Sequence, residues 1–164
     1  DLLADGKELA EHAMLVDLAR NDVGRISRIG SVEVRDFCHV ERFSHVMHLV
    51  SNITCDLKED CDAFDLFKAT FPAGTLSGAP KIRAMEIIDE LEPHVRHVYC
   101  GAIGYLGLHR NMDLNVAIRT AIITQGQGFF AVGGGVVYDS REEDEYEETL
   151  HKASTLFRLI AGDL

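Results

Sequence analysis

Long apolar runs and an excess of positive charge are both missing from this 164-residue sequence. No stretch reaches the roughly 18 apolar residues that a membrane-spanning helix needs, and no basic segment leads into an apolar one as in a signal peptide. Lys and Arg number 16 against 27 Asp and Glu, and the net charge of −11 opposes binding to a phosphate backbone or to acidic lipid. We therefore expect a soluble protein that has neither a membrane nor a nucleic acid as partner.

Cysteine is scarce and is not arranged in pairs. The four cysteines, Cys38, Cys55, Cys61 and Cys100, form no Cys-x-x-Cys motif, and a chain of this length does not need disulfides to fold. A reducing cytoplasm is therefore the expected location. Cys38 and Cys100 stand among apolar neighbours, which favours small buried side chains over catalytic thiols. The chain also begins at Asp1 without an initiator methionine, so we expect a fragment of a longer protein.

What the sequence does contain is a series of segments with clear periodicity. Helical spacing predicts helices over residues 7–19, 57–71, 80–92 and 142–161. Residues of high β-propensity between turn formers predict strands near 31–36 and 44–55, and later β-rich segments at 98–109, 113–124 and 128–138, the last two joined by a hairpin at Gly126 and Gly128. This order predicts an α+β fold, in which layers of antiparallel β-sheet have helices packed outside them.

Two pairs of glutamates could provide a metal site. Glu8 and Glu11 are spaced i, i+3 on the first predicted helix, and Glu145 and Glu148 have the same spacing on the last, so each pair occupies one helix face. If both helices flank one cleft, four carboxylates offer the oxygen ligands that Mg²⁺ prefers. Lys152 shares the face of Glu148 and could meet a substrate carboxylate. On spacing alone, a solvated helix face explains such pairs more often.

Two histidines, three glycines and one arginine are further candidates. His45 and His48 fall on a predicted strand, where residues three apart point to opposite faces, so they do not share one ion; either could be a proton donor or a structural residue. Residues 133–135, all glycine, are expected to form either a bulge or turn, or a backbone held open so that its N–H groups can approach an anion. Arg119 lies in an apolar segment, and a buried arginine needs an anionic partner, structural or bound.

Four longer stretches make the sequence recognisable. They cover residues 11–22, 71–85, 99–119 and 133–152. Together they closely resemble the chorismate-binding domain that is shared by anthranilate synthase component I, aminodeoxychorismate synthase component I, isochorismate synthases and salicylate synthases. The match runs over essentially the whole chain in the family's order. The resemblance implies that residues 1–164 are the C-terminal portion of that domain, with the N-terminal part of the enzyme absent.

The resemblance also implies roles for individual residues. Glu11 and Glu148 match the family's Mg²⁺ ligands, with Glu8 and Glu145 as the second carboxylates around the ion. The backbone that receives the ring carboxylate of chorismate matches Gly133, Gly134 and Gly135, with Lys152 nearby. The residues that hold the enolpyruvyl carboxylate match Tyr99 and Arg119. The ring pocket matches His48 and Thr75, and His48 is the candidate for assisting the loss of pyruvate.

The reaction that the resemblance implies is the Mg²⁺-dependent amination of chorismate to anthranilate, with loss of pyruvate, in tryptophan biosynthesis. A separate glutamine amidotransferase subunit would supply the ammonia. Residues 71–75 and 44–48 resemble anthranilate synthases, whereas residues 99–101, 112–115 and 133–135 lean toward aminodeoxychorismate synthases. We favour an anthranilate synthase, keep aminodeoxychorismate, isochorismate and salicylate synthases as alternatives, and expect the fragment alone to be inactive or weakly active.

Overall fold

The computed structural model describes residue 3, residues 6–42 and residues 47–161. Its elements, in chain order, are α1 (Gly6–Gly24), β1 (Glu33–Arg42), β2 (Met47–Thr54), α2 (Ala63–Thr70), α3 (Gly74–Ser77), α4 (Lys81–Leu91), β3 (Ala102–Leu106), β4 (Met112–Val116), β5 (Ala121–Thr124), β6 (Gln127–Phe130) and α5 (Glu142–Ala161). The chain divides into two compact units. The first unit is Asp1–Leu91 with Leu106–Met112, and the second is Glu92–Tyr105 with Asp113–Leu164.

The first unit is organised around α1. This helix packs against α2, α3 and β2, and Val16 and Ala69 are buried. β1 and β2 pair antiparallel, but the register shifts between Arg35 and His39, where Asp36 and Cys38 adopt left-handed φ values of 49° and 56°. The Ser51 hydroxyl accepts the N–H of Cys38 at 2.8 Å and lies 2.7 Å from Nε2 of His12 on α1. These contacts attach the bulged hairpin to the helix.

The second unit combines short strands with the long helix α5. β3 and β4 form one two-stranded sheet, and β5 and β6 pair antiparallel through a tight turn at Gln125 and Gly126, whose φ values are both positive. The ring of Phe157 on α5 meets that of Phe130 edge-on, with centroids 5.3 Å apart. Ala117 and Ala153 are buried at 2% and 1% exposure. Small side chains therefore make the closest packing in this unit.

The structure confirms the predicted α+β class, and α5 has the predicted bounds. Other bounds were wrong. The helix predicted over residues 7–19 continues to Gly24, and the helix predicted to start at 57 starts at Ala63, because Asp62 forms a capping box with Asp65. The loop predicted before Pro80 contains the single-turn helix α3.

The structure also bears on the strand segment predicted at 113–124 and on the expected burial of the cysteines. The predicted segment 113–124 is two strands, because Arg119 turns to a φ of 51° between them. Cys100 is buried as expected, but Cys38 is only half-buried, since it lies in the bulge of β1; all four cysteines are free thiols. His45 and the start of the strand predicted at 44–55 lie outside the described residues. None of the helices in the described part of the chain combines the length and the apolar character needed to cross a membrane.

Candidate active site

The second unit places Tyr99 against the backbone of Gly133. A β-carbon added to Gly133 would lie 2.8 Å from the phenolic Oη, so only glycine admits the tyrosine at this distance. Cζ of Arg96 lies 5.9 Å from the centroid of the Tyr99 ring. Burial raises the pKa of Tyr99 to about 12. The phenol therefore stays neutral at physiological pH, and its O–H can donate a hydrogen bond to a carboxylate.

The next glycine faces the charged side of α5. A β-carbon on Gly134 would lie 3.2 Å from Oε2 of Glu145 and 3.9 Å from Nζ of Lys152. The Ser140 hydroxyl holds the Glu145 carboxylate by donating to Oε1 at 2.6 Å, and itself accepts the N–H of Val137 at 3.0 Å. The second oxygen of Glu145 is buried and has no hydrogen-bond partner among the described residues. An oxygen in that state is an acceptor that is available to a cation or a proton donor.

Lys152 links Glu148, the second candidate carboxylate on α5, to the group around Gly134 and Glu145. Its ammonium lies 2.5 Å from Oε1 of Glu148, one helical turn earlier. The glycine segment therefore meets Glu145 and Lys152, and Lys152 in turn pairs with Glu148 on the same helix face. The first turn of α5 also carries Glu142, Glu143 and Asp144, whose charges the helix dipole stabilises at this end.

These groups suit one side of a Mg²⁺ site. Magnesium takes hard oxygen ligands and commonly binds through only one or two carboxylates, and Glu145 and Glu148 offer two from one helix face, one of them with an unsatisfied buried oxygen. Within residues 6–42 and 47–161, however, no three His, Cys, Asp or Glu side chains are close enough together to hold a metal. The donor set of α5 therefore fits the ion, and the convergence of all four glutamates stays a prediction.

The first unit carries the remaining candidates on three elements. Glu8 and Glu11 lie on α1, His48 on β2 and Thr75 on α3. Glu8 and Thr75 are exposed, whereas Glu11 and His48 are half-buried. α1 packs against both α3 and β2, so one helix adjoins the elements that bear Thr75 and His48.

The structure corrects the expected burial of Arg119 and shows which backbone conformation the three glycines adopt. Arg119 was expected to face the interior, but it is exposed in the turn after β4, because Ala117 is the residue that points into the core. The three glycines form no strand and no bulge: residues 131–137 are irregular, and none of the three has a left-handed φ. Gly133 and Gly134 are needed for close approach, whereas a β-carbon on Gly135 would meet no described atom within 4 Å.

One buried group was missed in the sequence. The carboxylate of Asp22, near the end of α1, pairs with Nζ of Lys81 at 2.7 Å and accepts the N–H of Gly74 at 3.0 Å. The three residues line a cavity of about 650 Å³ together with Leu18, Arg25 and Pro80. Asp22 lies beyond the predicted end of the first helix at residue 19, so its burial had no sequence signal beyond an opposite charge 59 positions later.

Comparison with known proteins identifies the family of the chain. The family described as chorismate binding enzyme matches residues 1–158. The chain belongs to this family. It is 57% identical over 160 residues to anthranilate synthase component 1 of Acinetobacter calcoaceticus, covering 98% of this chain and 32% of that protein. It is 58% identical over 161 residues to the same component of Pseudomonas aeruginosa, covering 98% of this chain and 33% of that protein. The resemblance found in the sequence is thereby confirmed.

Solved structures of family members have the same fold. Anthranilate synthase component I of Streptococcus pneumoniae superposes with a TM-score of 0.86 at 55% identity, over 93% of this chain and 35% of that one. A protein described as a 2,3-dihydroxybenzoate-specific isochorismate synthase, from Bacillus anthracis, gives 0.84 at 27% identity, over 97% of this chain and 42% of that one. The chain spans about a third of the length of the anthranilate synthase components it matches.

Proposed function

We propose that residues 1–164 form the C-terminal portion of the chorismate-binding domain of an anthranilate synthase large subunit, a lyase of the cytoplasm. The observation that carries the proposal is the group around the glycine segment, where Tyr99 lies against Gly133, and Glu145 and Lys152 lie against Gly134. This group offers open backbone, a neutral phenol, a cation and carboxylates within one compact unit. Identities of 57% and 58% to anthranilate synthase components support this member of the family.

Chorismate is a dianion, and its two carboxylates need separate partners. The ring carboxylate is received by the backbone of Gly133, Gly134 and Gly135, with Lys152 beside them. The enolpyruvyl carboxylate is held by Tyr99, whose O–H remains protonated, and by Arg119, which lies in the exposed turn after β4. These local donors offset the net charge of −11, which would otherwise disfavour an anionic substrate.

The cofactor is Mg²⁺, with Glu11 and Glu148 as ligands and Glu8 and Glu145 beside them. When bound, the ion would neutralise the ring carboxylate next to the reacting carbons. Lys152 competes for Glu148 because it already pairs with this carboxylate at 2.5 Å. The lysine therefore has two tasks, which are to compensate Glu148 in the metal-free protein and to meet the substrate carboxylate afterwards.

The overall conversion is chorismate plus ammonia to anthranilate, pyruvate and water. Ammonia forms a bond to C2 while the C4 hydroxyl leaves as water; the enolpyruvyl group then leaves as pyruvate, and the ring loses the proton of C2. His48 and Thr75 line the ring pocket, where His48 assists the second step by moving this proton. Ammonia comes from a partner glutamine amidotransferase subunit.

The test uses the full-length polypeptide that contains this chain, supplied with chorismate, Mg²⁺ and ammonium, and follows the fluorescence of anthranilate. Glu148→Gln and Glu11→Gln should each lower the apparent Mg²⁺ affinity by at least about 10- to 100-fold, the range known for residues that merely support a metal ligand. Glu147→Gln, an exposed neighbour on α5, is the matched control and should leave the affinity unchanged. Equal affinities in all three variants would refute the metal site.

The product separates the members of the family. Chromatography of the same reaction distinguishes anthranilate from aminodeoxychorismate, isochorismate and salicylate, and any of the last three would refute the anthranilate assignment. The 164-residue chain alone should produce little or no anthranilate under these conditions. Rapid product formation by the chain alone would contradict the proposal that it is only part of the catalytic unit.

A further inference from the structure

The buried Asp22 carboxylate joins both ends of the segment that carries Thr75. One oxygen accepts the N–H of Gly74, the first residue of α3, at 3.0 Å, and the other meets Nζ of Lys81, the first residue of α4, at 2.7 Å. Asp22 is 5% exposed, and the Lys81 side chain is nearly as well covered. A single carboxylate therefore fixes the start of residues 74–80 and the residue that follows them.

Steric contacts with α1 also hold the same segment. A β-carbon on Gly74 would lie 3.2 Å from Oδ2 of Asp22 and 3.3 Å from Cβ of Leu18. The single turn of α3 therefore packs against α1 as closely as a glycine allows. Gly78, with a φ of 115°, closes α3 and lets the chain turn toward α4. Little freedom remains for Thr75 to move relative to α1.

The buried ion pair of Asp22 and Lys81 contributes more to geometry than to stability. Burying two charges costs several kcal/mol in desolvation, and an apolar pair of similar size would often be as stable. What a buried ion pair does provide is fixed geometry, because both partners lose their interaction if the backbone shifts. Lys81 also places a positive charge at the start of α4, where the helix dipole disfavours it unless an anion such as Asp22 is close.

We propose that Asp22 is a positioning residue for chorismate turnover, which acts by holding Thr75 at the ring pocket through Gly74 and Lys81. The inference rests on the proposed function, since it needs Thr75 to face the substrate. Asp22 itself touches no substrate in this scheme. A displacement of about 1 Å at a substrate-contacting group can cost about 100-fold in rate, so a small movement of α3 suffices to make Asp22 important.

The experiment is a double-mutant cycle in the full-length polypeptide, with chorismate consumption as the readout. Asp22→Asn keeps an acceptor for the N–H of Gly74 but removes the charge that compensates Lys81, and should lower kcat/KM for chorismate by about 10- to 100-fold. If Asp22 acts through Thr75, the combination of Asp22→Asn with Thr75→Ala should be no slower than Thr75→Ala alone. Asp89→Asn, an exposed Asp-to-Asn change on α4, is the matched control and should behave as the parent.

A second variant covers the case in which Asp22→Asn folds poorly. Gly74→Ala leaves both charges in place and pushes the segment away from α1, so it should show the same non-additivity with Thr75→Ala. Hydrogen exchange should rise at the amides of residues 74–79 in both variants and not in Asp89→Asn. The inference would be overturned if the losses of kcat/KM in Asp22→Asn and in Gly74→Ala both multiplied with the loss in Thr75→Ala. It would also be overturned if Thr75→Ala had parental kinetics. A parent that consumes no chorismate would instead refute the proposed function.

Discussion

Replacing Gly134 by alanine probes the contact between the glycine segment and α5 without removing any charged group. The new methyl group would lie 3.2 Å from Oε2 of Glu145, closer than ordinary van der Waals contact, so the carboxylate or the backbone must move by a few tenths of an ångström. The carboxylate cannot move freely, because the Ser140 hydroxyl donates to its other oxygen at 2.6 Å. Gly134 has no left-handed φ, so the alanine meets no backbone strain.

The magnitude follows from the hydrogen bond that is disturbed. A hydrogen bond to a charged group contributes about 1.5–3 kcal/mol, and stretching it should cost a substantial part of that, about 1–2 kcal/mol. A glycine-to-alanine change at a position whose φ and ψ suit alanine also stabilises a protein by about 0.4–1 kcal/mol through the unfolded chain. Gly128→Ala on β6 meets no described atom within 4 Å and measures this second effect alone. The free energy of unfolding should thus be about 1–2 kcal/mol lower in Gly134→Ala than in Gly128→Ala.

Thermal unfolding followed by circular dichroism tests this value. A difference of 1–2 kcal/mol corresponds to about 2–8 °C in Tm for a chain of this size. In a Ser140→Ala background the carboxylate is released from its donor, so the cost of Gly134→Ala should fall by about half. Equal Tm values for Gly134→Ala and Gly128→Ala would refute the close approach, and an unchanged cost without Ser140 would refute the role of this hydroxyl.

Three further outcomes are expected. The pKa of Tyr99 should be about 12 in the folded chain, against about 10 in an unfolded chain. Its contribution to the free energy of unfolding is therefore complete below pH 10 and is lost as the pH rises through 12. A phenolate absorbance titration of the parent and of Tyr99→Phe checks this. Asp62→Ala removes the capping box of α2 and should lower the free energy of unfolding by about 1 kcal/mol, with exposed Asp60→Ala as control. Ala153 is 1% exposed, so the larger side chain of Ala153→Leu should overpack the region around α5 and lower the free energy of unfolding in urea by about 1–3 kcal/mol. An unchanged free energy of unfolding would contradict this packing.

Sequence periodicity was most informative where one rule governs a whole element. α5 was placed correctly because its polar and apolar residues alternate with helical spacing for five turns and its first turn is acidic. β1 was underestimated, since it continues through a bulge in which Asp36 and Cys38 are left-handed. Such a bulge depends on what the strand pairs with, and the hydroxyl of Ser51 that supports it lies 13 residues further along the chain.

In the candidate site, contacts within one helix followed from residue spacing, whereas contacts between segments distant in sequence did not. The spacing of Glu145, Glu148 and Lys152 follows from one helix, and the structure does bring Glu148 and Lys152 into contact. The family resemblance placed Lys152 near the glycines, but spacing did not show that Tyr99 contacts Gly133 or that Glu145 contacts Gly134, because these residues lie 34 and 11 positions apart and are brought close by folding. Arg119 was misjudged because an apolar neighbourhood in sequence was taken for burial, whereas a turn exposes the side chain.

The net charge of −11 is compatible with the proposed anionic substrate because charges act over short distances in salt water. At physiological ionic strength the Debye length is about 8 Å, so the acidic residues on the rest of the surface contribute little at the glycine segment. There the nearest ionised groups are Lys152 and Glu145, and Lys152 is within 4 Å of the position of a Gly134 β-carbon. Glu145 and Glu148 would repel a carboxylate unless a cation lay between them, so the proposed binding of the ring carboxylate at this segment depends on the proposed Mg²⁺.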